Sequence, residues 1–388
     1  MKSVPRRRVA LLIETSRAYG RGLVRGVAKY VQEHGHWMID FTPRGLTDPP
    51  PLWLRGWQGD GILARINDYR MAEAVLRTGA PVVDLRRVLV DLGVPTVGPD
   101  DRAIAQLAWE HFREHGFRQF AICGMPRRLQ PPMDRRQEYF RQIVQSHGYL
   151  CKGFCLRPRR HSSEAWEEEQ ERLAQWIRGL AKPVAIYTCN DDYGMRVLDA
   201  CRRAGVPVPD AVAVLGVGND ECLCHVSTPP LSSIDLDAER IGYRAAQLLD
   251  RLMAGKLPPK HPVLIPPRGV VARASTDVLA TEDEDVVRAV RFIREHACQG
   301  IRTVDVLEHV AMSRAALEGR FKTVLGRTIA QEIRHRQIQR VKQLLRETDM
   351  PLKQIALQTG FRYTEYMIRA FRQATGMTPK QYRKTSGE

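Results

Sequence analysis

The chain has 388 residues, 43% of them hydrophobic, enough for two or three ordinary cores, which excludes an intrinsically disordered polymer. Its formal net charge of +16 and pI near 9.8 point to a polyanionic partner, and no run approaches the ~18 apolar residues a membrane span requires. Eight cysteines are scattered without paired CxxC spacing, which favours reduced thiols over a disulfide framework or a zinc site.

The N-terminal MKSVPRRRVALLIETS is basic and then apolar, but its apolar run, Val9 to Ile13, is short and no small-residue cleavage site follows. It reads as a first β-strand and not as a secretion signal. Short apolar runs then alternate with helical segments. RVALLIE, WMIDF, GILARI, PVVDL, RQFAICG, PVAIYT and AVAVLGVG read as buried parallel strands. GRGLVRGVAKYVQEHG, YRMAEAVLRTG, DRAIAQLAWEHFREHG, RQEYFRQIVQSHG, EEEQERLAQWIRGL, GMRVLDACRRAG and RIGYRAAQLLDRLMAG read as the helices between them, several closed by a glycine. This alternation predicts a doubly wound α/β architecture. About 260 residues is large for one sheet, so two lobes are expected, with crossings near Gly124 and Gly218 and a cleft between them.

After the first strand, Gly20, Gly22 and Gly26 form G-x-G-x-x-x-G, with Asp40 ending the next strand, the outline of a dinucleotide fingerprint. Six residues separate Ile13 from Gly20, however, too many for a phosphate turn that begins at the strand's end. From Leu257 to Asp285, Pro-rich closing strands lead into an acidic TEDED run, read as linker and helix N-terminus. The expected domains are a sensor over 1–277, a linker over 278–285 and a helical domain over 286–388.

That last domain contains one unit used twice. Leu317, Phe321, Lys322 and Gly326 recur as Met367, Phe371, Arg372 and Gly376. Each copy reads as a helix-turn-helix: the first sets Val304, Leu307 and Val310 at helical spacing and offers Ser313 as N-cap, and the second opens on Pro351 and turns at Gly360. A single helix through Ile329, Ile333, Ile338, Val341, Leu344 and Leu345 joins them, and repeats and linker are expected to share one core. About 18 residues at 1.5 Å each span about 27 Å, suited to two reading heads near one DNA turn apart. From Val286 to Glu388 there are 20 Lys and Arg against 9 Asp and Glu, so positive charge concentrates here.

The segment GFRYTEYMIRAFRQATGMTPKQYRK resembles the signature of the AraC-type transcriptional activators, with Gly360 and Phe361 at the turn, Tyr366 and Phe371 inside, then Gly376, Thr378, Pro379 and Tyr382. The phrases PTVGPDDRAIAQLAWEHFREHGFRQFAICG, PVAIYTCNDDYGMRVLDACRRAGVPVPDAVAVLGVGND and TPPLSSIDLDAERIGYRAAQLL resemble the ligand-binding part of the LacI-type repressors, which is akin to periplasmic sugar-binding proteins. Only seven residues precede the first strand, where those repressors carry a DNA-binding headpiece. The whole chain resembles the xylose-responsive operon regulators that join these two parts, and VVRAVRFIREHACQGI with MSRAALEGRFKTVLGRTI extends the likeness. The resemblance implies a periplasmic-binding-protein-like α/β sensor ahead of an all-α domain with two helix-turn-helix units. Its implied function is that of a cytoplasmic, dimeric activator, responsive most of all to xylose, that binds operator DNA and acts with RNA polymerase. No cofactor or metal is expected.

Sugars are bound by planar polar side chains at strand ends. By resemblance Arg136 takes the place of the inducer-contacting arginine, in R-x-x-Y-F where relatives have R-x-x-G-F. By position Asn190 and Asp191 follow VAIYT, Asn219 and Asp220 follow AVAVLG, and Ser16, Arg17 and Tyr19 sit in the first loop. Gly218 stands where relatives usually carry an acidic residue, so polar contact is expected to pass to Asn219 or Asp220. Competing structural roles are helix capping for Asp191 and surface pairing for Arg136. In the second reading helix Arg362, Thr364, Glu365 and Arg369 are the expected base contacts, and in the first Arg314, Glu318 and Ala315, the last against a thymine methyl. Lys322, Arg372, Lys380 and Arg383 are expected to hold phosphates. Rival readings are a dinucleotide-dependent enzyme with a basic tail, which predicts nucleotide affinity, and a transport receptor, which requires a signal peptide.

Overall fold

A computed structural model describes residues 6–387 except positions 36, 90–91, 127–129, 157–162 and 282. The chain divides into two compact units, Met1–Arg113 with Phe117–Val278, and Glu114–Gly116 with Leu279–Glu388.

In the first unit, β1 (Arg7–Leu12), β2 (Trp37–Phe41), β3 (Gly61–Ala64) and β4 (Val82–Asp84) form a parallel sheet of order β2-β1-β3-β4. The short strands β5 (Val97–Pro99) and β11 (Val263–Ile265) pair parallel to each other beside it. The second sheet takes β6 (Gln119–Gly124), β7 (Cys151–Cys155), β8 (Val184–Thr188), β9 (Val212–Val217), β10 (Ser232–Asp235) and β12 (Gly269–Val271) in the order β12-β10-β9-β8-β6-β7, with only β12 antiparallel. Every residue of β8 and β9 is buried, the mark of strands covered on both faces. The covering helices are α1 (Ala18–His34), α2 (Tyr69–Leu76), α3 (Asp101–Glu114), α4 (Pro131–Ser146), α5 (Ser163–Arg178), α6 (Asp191–Ala204), α7 (Glu221–Val226) and α8 (Ala238–Met253).

The crossings lie elsewhere than the sequence suggested. Gly124 ends β6 and Gly218 follows β9, and both strands belong to the six-stranded sheet, so the chain does not change lobe at either glycine. It crosses after β5, between β10 and α8, and between β11 and β12. Although α8 comes late in the chain, it packs on α1 in the core of the four-stranded lobe, where Ile241, Ala245 and Leu249 meet Leu23 and Val27. Strand β7 escaped the reading because CKGFC lies at a sheet edge with no residue fully buried.

Of the glycines of the apparent fingerprint, Gly22 and Gly26 serve this helix pair, and Gly20 lets α1 start against the preceding loop. A Cβ at Gly26 would overlap the carbonyl oxygen of Glu239, one at Gly242 that of Leu23, and one at Gly20 that of Glu14. Their chemistry is close backbone approach, with no phosphate turn involved.

The second unit comprises α9 (Glu284–His296), α10 (Thr303–Val310), α11 (Arg314–Leu325), α12 (Ile329–Glu347), α13 (Leu352–Gln358), α14 (Thr364–Thr375) and α15 (Pro379–Gly387). Ser313 caps α11 by accepting from Ala316 N at 3.4 Å. Thr328 and Gln331 form a capping box on α12, and Gly326 and Gly376 close α11 and α14 in left-handed geometry. The repeat is matched in packing, since Leu317 and Met367, and Phe321 and Phe371, are each fully buried. Two details differ from expectation. In α10 Val310 is buried as the spacing predicts, but its companion is Val306, while Val304 is exposed. The helical domain also has two cores in place of one: the first half of α12 packs with α9–α11 through Ile329 and Ile333, and its second half with α13–α14 through Ile338, Val341, Leu344 and Leu345.

Candidate functional site

A cleft of about 620 Å³ opens at the carboxyl ends of the strands of both lobes, where ligands bind in open α/β sheets. From the four-stranded lobe come Glu14, Ser16, Arg17, Tyr19, Arg65 and Arg86; from the six-stranded lobe come Arg136, Asn190, Asp191, Asp192, Gly218 and Asp220. Seven of the eight sequence-selected residues therefore share one wall system. The eighth, Asn219, does not line it: its side-chain oxygen accepts from Arg273 Nη2 at 2.9 Å.

Arg136 is buried on α4, where Asp101 Oδ1 accepts from its Nε at 2.8 Å and the carbonyl of Cys189 from its Nη1 at 3.4 Å. Asp101 also holds Arg135 at 2.9 Å. The capping role considered for Asp191 falls instead to Asn190, whose side chain accepts from Tyr193 N at 3.0 Å. Asp191, 3% exposed, accepts from Ser233 Oγ at 2.5 Å and from Asp220 N at 2.8 Å. It thereby ties β10 and the loop after β9 to the start of α6. Burial pushes its carboxyl up to about 6, against the opposing pull of those two donors. Across the cleft, Arg17 on the first loop pairs with Asp192 on α6 at 3.0 Å.

The sequence reading missed Glu14, Arg65 and Arg86. Each stands one or two residues beyond a strand of the four-stranded sheet, so the strand-end rule applied to Asp191 and Asp220 could have found them. Glu14 and Arg65 form a buried ion pair, and the Arg65 guanidinium lies 5.0 Å from the centre of the Tyr19 ring. Several polar atoms in this wall are buried without a partner: Glu14 Oε2, the Tyr19 hydroxyl, Arg65 Nε, and Arg86 Nε and Nη1. Burial pushes the Tyr19 phenol up, so it stays a neutral hydroxyl, both donor and acceptor. Buried polar atoms without partners are costly, and the residues that carry them stand in the cleft wall. Here the arrangement suits a small molecule dense in hydroxyls. No group of His, Cys, Asp and Glu able to hold a metal ion occurs among the described residues.

On the helical unit, Arg314, Ala315 and Lys322 of α11 are exposed and Glu318 is half-buried. On α14, Glu365, Arg369 and Arg372 are exposed and Thr364 is half-buried, with exposed Arg362 just before the helix and exposed Lys380 on α15. Arg383 is arranged differently. It is half-buried, and its Nη2 donates to the carbonyl of Met350 at 2.5 Å, closing the α12–α13 turn where a free phosphate-binding side chain was expected. Tyr366, expected inside, is 48% exposed. Its hydroxyl accepts from Arg334 Nη2 at 2.7 Å, and that guanidinium lies 4.4 Å from the centre of its ring, so it fastens α14 to α12 from outside.

Comparison with known proteins agrees with this division. A periplasmic binding protein-like domain model matches residues 109–276 and a helix-turn-helix domain model matches residues 306–385. The xylose operon regulatory protein of Escherichia coli (strain K12) is 32% identical over 99% of this chain and 98% of its own. That of Haemophilus influenzae is 30% identical over 97% and 98%. A solved structure described as the xylose-binding transcription activator xylR is 31% identical, covers 99% of this chain and 100% of its own, and superposes with a TM-score of 0.64. No described helix is long and apolar enough to cross a membrane. Since the match runs through sensor, linker and both helix-turn-helix units, the chain belongs to the xylose operon regulatory protein family, transcriptional regulators of sugar utilisation that couple a sugar-binding sensor to helix-turn-helix DNA binding.

Proposed function

We propose that a small sugar occupying the cleft alters how α11 and α14 engage operator DNA, and that this controls sugar-utilisation genes. The observation that supports it is the coexistence, on one chain, of a cleft with unpaired buried polar atoms and a doubled helix-turn-helix. The effector shifts a conformational population and leaves unmodified. Arg136, Asn190, Asp191, Asp220, Ser16, Arg17 and Tyr19 are its contacts, joined by Glu14, Arg65 and Arg86. Arg314, Ala315, Glu318, Arg362, Thr364, Glu365 and Arg369 read bases, while Lys322, Arg372 and Lys380 hold phosphates. We take 1–277 as sensor, 278–285 as linker and 286–388 as DNA-binding domain. The regulator works as a cytoplasmic homodimer and, as an activator, with RNA polymerase. The relatives' names make D-xylose the reference effector. The test is DNA binding by the full chain on a selected operator, with and without pentoses and hexoses, while NMR follows the sugar. Sugar-dependent affinity with intact sugar supports the reading; turnover, or DNA binding indifferent to every sugar, contradicts it.

A further inference from the structure

The two helix-turn-helix units are alike in their buried positions and unlike where their second helices begin. The repeat that sets Leu317 against Met367 also sets Ser313, before α11, against Tyr363, before α14. Both stand at the N-cap in extended backbone, but only the serine caps its helix, its hydroxyl accepting from Ala316 N at 3.4 Å. Helix α14 has no side-chain cap, and it forgoes the stability that a serine, threonine, aspartate or asparagine supplies at that position.

What the second unit has in exchange is a ring at its surface. Tyr363 lies one turn before buried Met367, yet it is 59% exposed, because an extended N-cap residue departs from the face that the helix buries. The aromatic residues around it are tied to the fold: Phe361 is buried, Tyr366 holds Arg334, and Tyr382 meets Phe371 with ring centres 5.3 Å apart. Among the described residues, the one ring contact of Tyr363 is with its neighbour Arg362, whose guanidinium lies 5.4 Å from the ring centre. Arg362 is exposed as well. An arginine and a tyrosine are thus stacked at the N-terminal end of a reading helix, the end whose residues meet base edges in the major groove. A guanidinium forks to O6 and N7 of guanine, and the apolar group that the groove offers to a ring is the C5-methyl of thymine. Stacking also restricts the arginine before DNA arrives, which lowers the ordering cost of its fork.

We propose that Tyr363 is a specificity-determining residue: with Arg362 it forms one composite reader, whose fork takes a guanine and whose ring covers the methyl group of the adjoining thymine. The inference rests on α14 being a base-reading helix, and it adds an apolar contact that the polar residues of that helix do not make.

The test is binding of the full chain to an operator obtained by binding-site selection, with each thymine in turn replaced by deoxyuridine, which lacks only the C5-methyl. For the wild type, the exchange at a thymine beside a guanine is expected to weaken binding by about three- to tenfold, the scale of one buried methyl group. Tyr363→Ser should bind the unmodified operator more weakly by the same factor and no longer distinguish thymine from uracil there, with losses at any thymine met by α11 unchanged. Tyr363→Phe should keep the distinction, since the ring and not the hydroxyl makes the contact. Without DNA, Tyr363→Ser should melt at a higher temperature than the wild type, because serine restores the kind of cap that Ser313 gives α11. A Tyr363→Ser variant that keeps every wild-type uracil loss overturns the inference; so does a Tyr363→Phe variant that loses as much as Tyr363→Ser, which would assign the hydroxyl to a phosphate. A lower melting temperature for Tyr363→Ser also overturns it, since the ring would then be holding the fold. A selection logo left unaltered by Arg369→Ala removes α14 from base reading, and the inference falls with it.

Discussion

Asp191 shows how one side chain can serve scaffold and ligand wall together. Its folded carboxyl titrates near 6, whereas an unfolded one titrates near about 3.9. Between those values the folded state keeps a proton that the unfolded chain has lost, so this residue's contribution to stability falls as pH rises through the window and is level above it. Asp191→Asn removes that titration. The melting-temperature difference, wild type minus variant, should become more negative from about pH 4 to pH 6 and then flatten; a difference constant across that range would show an ordinary carboxyl. On the DNA side, Arg369 and Lys380 carry equal charge, and the proposed function gives them different work. Exposed on α14 opposite buried Met367 and Phe371, Arg369 can reach a base edge, and Arg369→Ala should cost about 1–3 kcal/mol on the operator and relax preference at one base pair. Lys380→Ala should weaken all sequences alike and lower the salt slope by about one. A binding-site selection with an unaltered logo for the arginine variant would remove α14 from base reading.

Among elements, the α1–α8 pair is the most exacting contact of the sensor, because backbone meets backbone there and no rotamer can yield. Gly242→Val should therefore destabilise the sensor by about 1–3 kcal/mol or more, seen as an earlier unfolding transition, with DNA affinity of the separate helical domain unaffected. A transition at the wild-type temperature would mean that the two helices can part freely. This pair also shows where sequence reading runs out. The glycines were visible, but their meaning depends on a helix more than two hundred residues later, and periodicity carries no information about such partners. Buried strands such as VAIYT and the repeated Leu317/Met367 and Phe321/Phe371 positions were legible because their burial is written in local pattern. Arg65 and Arg86 were not, since a single charge after a strand makes no motif; only the orphaned atoms in the folded wall single them out. Tyr366 was placed inside by the resemblance to the AraC-type signature, yet Arg334 gives it a place on the surface.

For the molecule as a whole, charge and function separate along the chain. The residues from Val286 onward carry 20 of the 60 Lys and Arg but only 9 of the 44 Asp and Glu, and they hold both cores of the helical unit. A fragment from Leu279 to Glu388 should accordingly fold alone, bind operator DNA and ignore sugar; footprints of this fragment that change with sugar would refute the division of labour. Helix α12 runs for 19 residues through those two cores. Between Ile333 and Ile338 lies a polar interval in which Gln337 donates to the carbonyls of Ala297 at 3.0 Å and Gly360 at 3.3 Å. This interval behaves as a drive shaft whose length is counted in residues. Each residue added would turn the second reader by about 100° and advance it by about 1.5 Å, so the angular phase between the two readers, and with it the spacing of half-sites the protein accepts, is held by the number of residues between two isoleucines.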